Sequence, residues 1–181
     1  MRKFGLLLLV VMLMTALGAA AESTPAPVPM DSAIGAFSTV DLNGNAVDSN
    51  VFAKEKLTLV NVWATFCGPC KEEIPYLAKL DQEIDGFQVL GILVDAGSKG
   101  AEDPANLALG LKILSDSGAS YTSILPDDVL NQGLLPGIQY VPDSFFVDSK
   151  GQKVGEDIVG GQSYDDWKKT IEDALSQVAA G

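Results

Sequence analysis

The run Leu57–Trp63 (LTLVNVW) is almost wholly apolar and rich in β-branched residues, which predicts a central strand buried on both faces. Residues 87–94 (FQVLGILV) have the same character and predict a second buried strand. Between them, Ile74, Leu77, Ala78 and Ile84 recur at helical spacing from just after Phe66, and Gly86 supplies a stop. Asp103 as N-cap with Pro104 at the first helical position predicts another helix, with Leu107, Leu111 and Leu114 facing inward and Gly118 at its end. Upstream, Phe37, Val40 and Leu42 lead into the turn Asn43-Gly44-Asn45 and then Val47, a β-hairpin pattern. Downstream, residues 121–125 read as a short strand and residues 126–139 as turn-rich with one helical turn. Residues 144–147 and 152–159 read as strands joined by Asp148-Ser149-Lys150-Gly151. Ser163, three before Asp166, opens a last helix that turns Tyr164, Trp167, Ile171, Ala174, Leu175 and Val178 toward the sheet. This order of elements implies an α/β domain, a mixed sheet with helices on both faces.

The first residues follow a different pattern. Arg2 and Lys3 precede a short apolar run over residues 6–17, and Ala19-Ala20-Ala21 offers the small residues of a cleavage site. The run is shorter than the roughly 20 residues that span a bilayer. A signal peptide over residues 1–21, cleaved before Glu22, is therefore expected, with a retained anchor as the alternative. Attachment through a lipidated cysteine at that site is excluded, because no Cys precedes Cys67. Residues 22–33, beginning ESTPAPVP, read as a Pro-rich tether, and residues 34–181 as one domain with an extracytoplasmic location.

Composition narrows the chemistry. The formal net charge of −12 repels nucleic acid and anionic lipid, so neither is expected as a main partner. The chain contains no histidine, which removes Ser-His and Cys-His catalytic pairs and imidazole metal sites. Its two cysteines are three positions apart, in Cys67-Gly68-Pro69-Cys70, where the first buried strand hands over to its helix. Unpaired N–H groups and the helix dipole at that point favour a thiolate on Cys67. One helical turn brings Cys70 back beside Cys67, so the pair can close into a disulfide. Gly68 and Pro69 leave little bulk over the sulfurs and stiffen the turn. Cys67, on the exposed lip, is the expected attacking sulfur, and Cys70, one turn inside, the resolving one. Zinc would need two further soft ligands, which the chain lacks. A purely structural disulfide remains open, although so short a loop removes little chain entropy.

Residues 60–75 (VNVWATFCGPCKEEIP) resemble the active-site region of thioredoxin-like proteins, and in particular the TlpA/ResA group of extracytoplasmic thiol–disulfide oxidoreductases. Residues 140–151 (YVPDSFFVDSKG) are similar to that group's later strand pair, and Asp41-Leu42-Asn43-Gly44 fits its N-terminal hairpin. The resemblance covers roughly residues 34–177. It implies a thioredoxin fold with an N-terminal β-hairpin and an inserted segment before a cis-proline strand.

It also implies roles. Cys67 and Cys70 match the redox pair, and the redox-active disulfide itself serves, with no other cofactor. Pro75 matches a proline that kinks the active-site helix. Trp63 matches an aromatic shielding the edge of the site, though a core residue at a strand end fits equally. Pro142 matches a cis-proline that packs on the disulfide, with Val141 offering backbone to substrate. Phe66, Gly68 and Pro69 complete the expected contact surface, Phe66 standing where the group usually has Trp. Glu73 matches a buried carboxylate three residues after the second Cys and is the candidate proton acceptor for Cys70. Thioredoxin itself carries an Asp six before the first Cys, where this chain has Asn61. Asp143 replaces a common Thr after the cis-proline, and a carboxylate near the thiolate raises the Cys67 pKa and favours reductase chemistry.

The expectation is a reductase of exported disulfides. Implied substrates are apocytochrome c or an exported methionine sulfoxide reductase, and the implied electron donor is a membrane thiol carrier of the CcdA/DsbD kind. A disulfide-forming oxidase is the main alternative. A thiol peroxidase fits less well, because Thr65 lies two residues before Cys67 where peroxiredoxins place a Thr three before the reactive Cys.

Overall fold

A computed structural model describes residues 34–180. The expected signal peptide and the expected tether lie outside those residues. Strand β1 (Ser38–Val40) pairs antiparallel with β2 (Ala46–Asp48), closing the predicted hairpin over Gly44, whose φ of +85° suits only glycine. Then follow β3 (Leu57–Trp63), α1 (Gly68–Glu83) and β4 (Phe87–Leu93). A two-residue ribbon, β5 (Gly97–Ser98) with β6 (Ala101–Glu102), leads to α2 (Pro104–Asp116) and β7 (Thr122–Ile124). The chain ends with β8 (Asp143–Asp148), β9 (Lys153–Val159) and α3 (Tyr164–Ala180).

The main sheet has the order β7-β4-β3-β8-β9, parallel across β7, β4 and β3 and antiparallel across β8 and β9. The β3 run is central and buried along its whole length, as its unbroken apolar pattern requires. Its side chains divide by period two. Leu57, Leu59 and Trp63 join the inward faces of α1, α2 and α3, whereas Val60 and Val62 join Phe37, Val51, Phe52 and Leu130 on the other side. All three α-helices therefore cover one face. Both parallel crossovers step the same way across the sheet, and right-handed connections then place α1 and α2 on the same side. The opposite face is covered by shorter pieces: a 3-10 helix over Ser49–Lys54, a π turn over Leu130–Leu134 and a 3-10 turn over Leu135–Gly137.

Local chemistry sets the helix ends. Asp103 accepts hydrogen bonds from the N–H groups of Ala105 and Asn106, capping α2 with Pro104 behind it. Ser163 and Asp166 form the reciprocal cap of α3. Pro75 lies within α1 on its exposed side, so the Lys71 carbonyl that loses its partner can turn to water. The wholly buried Trp63, Leu77, Trp167 and Ile171 each contribute about 1.5–3 kcal/mol of apolar burial to holding α1 and α3 on the sheet.

Candidate active site

Strand β3 ends at Trp63 and α1 begins at Gly68, so Cys67 is the N-cap of α1. Cys67 and Cys70 are joined in a disulfide, and the Cys67 sulfur accepts the Cys70 N–H at 3.2 Å. That donor is one of the unpaired N–H groups of a helix start, the kind of group that stabilises a thiolate once the bond is reduced. The two sulfurs differ in access. Cys67 keeps 5% of its surface and Cys70 none. The expected exposed lip is made by the neighbours Phe66, Gly68 and Pro69, with the Cys67 sulfur recessed between them. The loop before the pair is clamped from the turn just after β4: Asp95 accepts from the Thr65 N–H at 3.0 Å and from the Thr65 hydroxyl.

One turn into α1, Glu73 is 1% exposed. Its Oε1 accepts from Asn61 Nδ2 at 2.9 Å, and its Oε2 accepts from Trp167 Nε1 at 3.1 Å and the Gln162 N–H at 3.2 Å. Burial pushes the Glu73 carboxyl above its ordinary value, against the opposing pull of those donors, Trp167 first. The N–H donors come from three elements: β3, α3 and the loop before α3. A β-carbon on Gly161 would lie 3.3 Å from Pro69 Cβ and 3.7 Å from Glu73 Oε2, so this bare backbone lets the loop close over both.

The Val141–Pro142 bond is cis, and the Val141 carbonyl lies 3.4 Å from the Cys67 sulfur. In the disulfide that sulfur has no proton; in the dithiol it can donate across the same gap. Beside it runs a groove of about 470 Å³ lined by Phe66, Val94, Leu135, Ile138, Tyr140 and Val141. Phe66 and Tyr140, each 74% exposed, present two aromatic faces along this one groove.

A family model described as Redoxin matches residues 24–175. The chain belongs to the redoxin family. Among curated relatives, it is 36% identical over 101 residues to the thiol:disulfide interchange protein DsbE of Pasteurella multocida, covering 56% of this chain and 50% of that one. It is 33% identical over 124 residues to the thiol:disulfide interchange protein HelX of Rhodobacter capsulatus, covering 68% of this chain and 64% of that one. The chain thus spans about half to two-thirds of the length of these relatives. A thioredoxin-family thiol:disulfide interchange protein of Chlorobium tepidum superposes with a TM-score of 0.64 at 27% identity, covering 86% of this chain and 99% of that one.

This redoxin brings together Cys67, Cys70, Glu73, Phe66, Gly68, Pro69, Val141 and Pro142, and departs from expectation at two positions. Trp63 is completely buried, donates its indole N–H to Ser123 Oγ at 3.2 Å, and cannot touch a substrate; it supports the end of β3 as a core residue. Asp143 pairs in register with Val62, so its side chain lies on the face opposite Glu73 rather than toward the thiol side. There it lines a cavity of about 130 Å³ with Phe145, Lys153 and Asp157, away from Cys67, and does not have the influence on the thiol expected of it.

Sequence reasoning missed Asp95, Ser144, Gly161, Gln162 and Trp167 as parts of the site. Asp95 had a signal, since it stands at the end of the strand beside β3. The contacts of Gln162 and Trp167 with Glu73 span about 90 residues and left none.

Proposed function

We propose that this redoxin is an exported thiol–disulfide oxidoreductase working in the reducing direction. The observation that carries the reading is the pairing of a recessed but accessible sulfur at a helix start with a sealed partner sulfur above a buried carboxylate. In the reduced protein, the Cys67 thiolate attacks a substrate disulfide, forming a mixed disulfide and expelling one substrate thiolate, which takes a proton from water. Cys70 then passes its proton to Glu73 and attacks Cys67, expelling the second thiolate and restoring the Cys67–Cys70 bond. Two electrons leave the protein, and the substrate gains two thiols.

The groove flanked by Phe66 and Tyr140 suits an extended apolar segment next to the substrate cysteine, with backbone pairing at Val141 closing one side. Substrates are exported disulfide proteins, apocytochrome c or a methionine sulfoxide reductase among them. A membrane thiol carrier of the CcdA/DsbD kind restores the dithiol. The described residues contain no helix long and apolar enough to cross a membrane.

The Cys-Gly-Pro-Cys sequence, which thioredoxin shares at about −270 mV against about −120 mV for the oxidant DsbA, supports the reducing direction. Titration against glutathione should give a potential below roughly −220 mV. A value near the DsbA end would replace this reading with disulfide formation. Cys70→Ser should strand substrates on Cys67 as mixed disulfides, and recovery of those adducts identifies them.

A further inference from the structure

The groups around Glu73 are unequal in what they can offer a proton. Trp167 Nε1 and the Gln162 N–H are donors only, so both serve the ionised carboxylate and neither can accept from a carboxylic acid. Asn61 is the exception, because an amide carries an acceptor as well as donors. With its nitrogen toward Glu73, Asn61 donates at 2.9 Å to Glu73 Oε1 and at 2.9 Å to Ser144 Oγ. Its Oδ1 is then buried with no partner at all. Asn61 is wholly buried and Ser144 is 1% exposed, so bulk water does not reach either to repair that deficit.

A half-turn of the Asn61 amide exchanges these positions. Oδ1 then faces Glu73 and Ser144, where it can accept from a protonated Glu73 and from the Ser144 hydroxyl, which is free to rotate. Both arrangements contain two hydrogen bonds and leave one amide atom unpartnered. The first serves ionised Glu73, whereas the second gives a proton on Oε1 an acceptor that the first lacks. We infer that Asn61 and Ser144 form a two-position relay that reverses its polarity when Glu73 takes up a proton, so that the buried carboxyl is partnered in both of its states. Asn61 and Ser144 are positioning residues that act through Glu73. This assignment rests on the reading of Glu73 as the proton acceptor for Cys70.

The titratable groups facing this network are few. Cys67 and Cys70 sit above Glu73 on α1. Tyr121, just before β7, is held neutral, its phenol pushed far up first by burial and then by the charges of Glu73 and Asp81. Asp81, further along α1, is engaged by the Val89 N–H at 2.7 Å. On α3, Asp166 is turned to Ser163, and on β8, Asp143 points to the other face.

The test follows the Asn61 side-chain amide of the wild-type protein by NMR across the titration of the Glu73 carboxyl carbon. The expected result is that the amide protons shift with the Glu73 midpoint and that their cross-relaxation with Ser144 is lost in the acid form. An amide that keeps the same contacts on both sides of the midpoint overturns the relay. Rapid-mixing measurement of mixed-disulfide release separates this from the parent reading. Asn61→Leu should slow release about tenfold, less than the roughly 100-fold that loss of the general base itself costs, and move its pH midpoint. Ser144→Ala should do so less. Glu73→Gln releasing at the wild-type rate would defeat the parent reading whatever the amide does. A slow Glu73→Gln with an amide that does not titrate defeats the relay alone.

Discussion

Glu73 and Asp143 are both carboxylates held out of water, one on each face of the five-stranded sheet, and β8 links them. Ser144 reaches into the Glu73 network while its neighbour Asp143 points the opposite way. Burial pushes both groups above their ordinary values, yet the surroundings answer differently. Glu73 is met by donors on both oxygens. Asp143, 6% exposed, has a buried Oδ1 with no partner; the negative Asp157 raises it further and Lys153 pulls it back. The first environment draws its donors from distant parts of the chain and can hold a charge. The second is a small cavity in which a charge is merely endured. A raised pKa therefore does not distinguish the carboxyl proposed to act from the other; the partners and the face do.

The largest expected effect tests that distinction directly. Glu73→Gln should slow mixed-disulfide release about 100-fold, because a general base within a buried site contributes on that scale. Asp143→Asn should leave the step within about twofold, since nothing on its face carries the reaction. Stopped-flow tryptophan fluorescence measures both. Equal losses in the two variants would erase the contrast.

Next in size is the dependence of stability on pH. The native carboxyls hold their protons more tightly than the unfolded chain does. Between the ordinary value and the raised one the native state carries the extra proton, so stability falls as pH climbs. The contribution is complete below 4.5 for Glu73 and below 3.8 for Asp143, and is lost as pH rises through each native value. Asp81 behaves in the same sense. Denaturant midpoints of the oxidised protein should thus decline over this range. Glu73→Gln should remove the part that opens at 4.5 and Asp143→Asn the part that opens at 3.8, each pKa unit of separation being worth about 1.4 kcal/mol. A decline that survives both substitutions unchanged would assign it elsewhere.

Why one pocket was legible in the sequence and the other was not follows from how each is built. The unbroken apolar run of β3, the Asp103-Pro104 cap and the Cys-Gly-Pro-Cys turn are local signals, and each placed its element correctly. The 3-10 helix over Ser49–Lys54 was missed because six residues, with Val51 and Phe52 turned in, are too few to establish a period. Glu73 could be nominated from its spacing after Cys70, but its partners Gln162 and Trp167 arrive only when α3 docks. Asp143 was misdirected by reasoning from proximity in sequence to Pro142. Strand alternation, with Phe145 beside it on the same face, held the information that would have turned it away from the sulfurs.

A smaller effect separates the two pockets by what holds the charge. Trp167→Phe keeps most of the ring volume but deletes a hydrogen bond to the Glu73 carboxylate, worth about 1.5–3 kcal/mol to the ionised form. The Glu73 carboxyl should rise further, and the low-pH form should lose less stability than the neutral-pH form. Carbon NMR of the Glu73 carboxyl with parallel denaturant melts at two pH values measures this. An unmoved titration would mean that the indole only fills space.

The smallest effect lies across the sheet. Lys153 pairs with Asp157 at 2.7 Å, but both side chains are more than a third exposed, so water and salt screen most of the attraction. Lys153→Gln removes the one neighbour that lowers Asp143 and should raise that carboxyl, whereas Asp157→Asn removes a neighbour that raises it and should lower it. Because the ion pair itself contributes only about 0–1 kcal/mol, neither variant should shift the denaturant midpoint as far as Trp167→Phe does. Opposite movements of the Asp143 carboxyl resonance, shrinking together as salt is added, are the expected signature. If both substitutions instead move Asp143 the same way, repacking of the cavity outweighs charge, and the Asp143 face is set by shape rather than electrostatics.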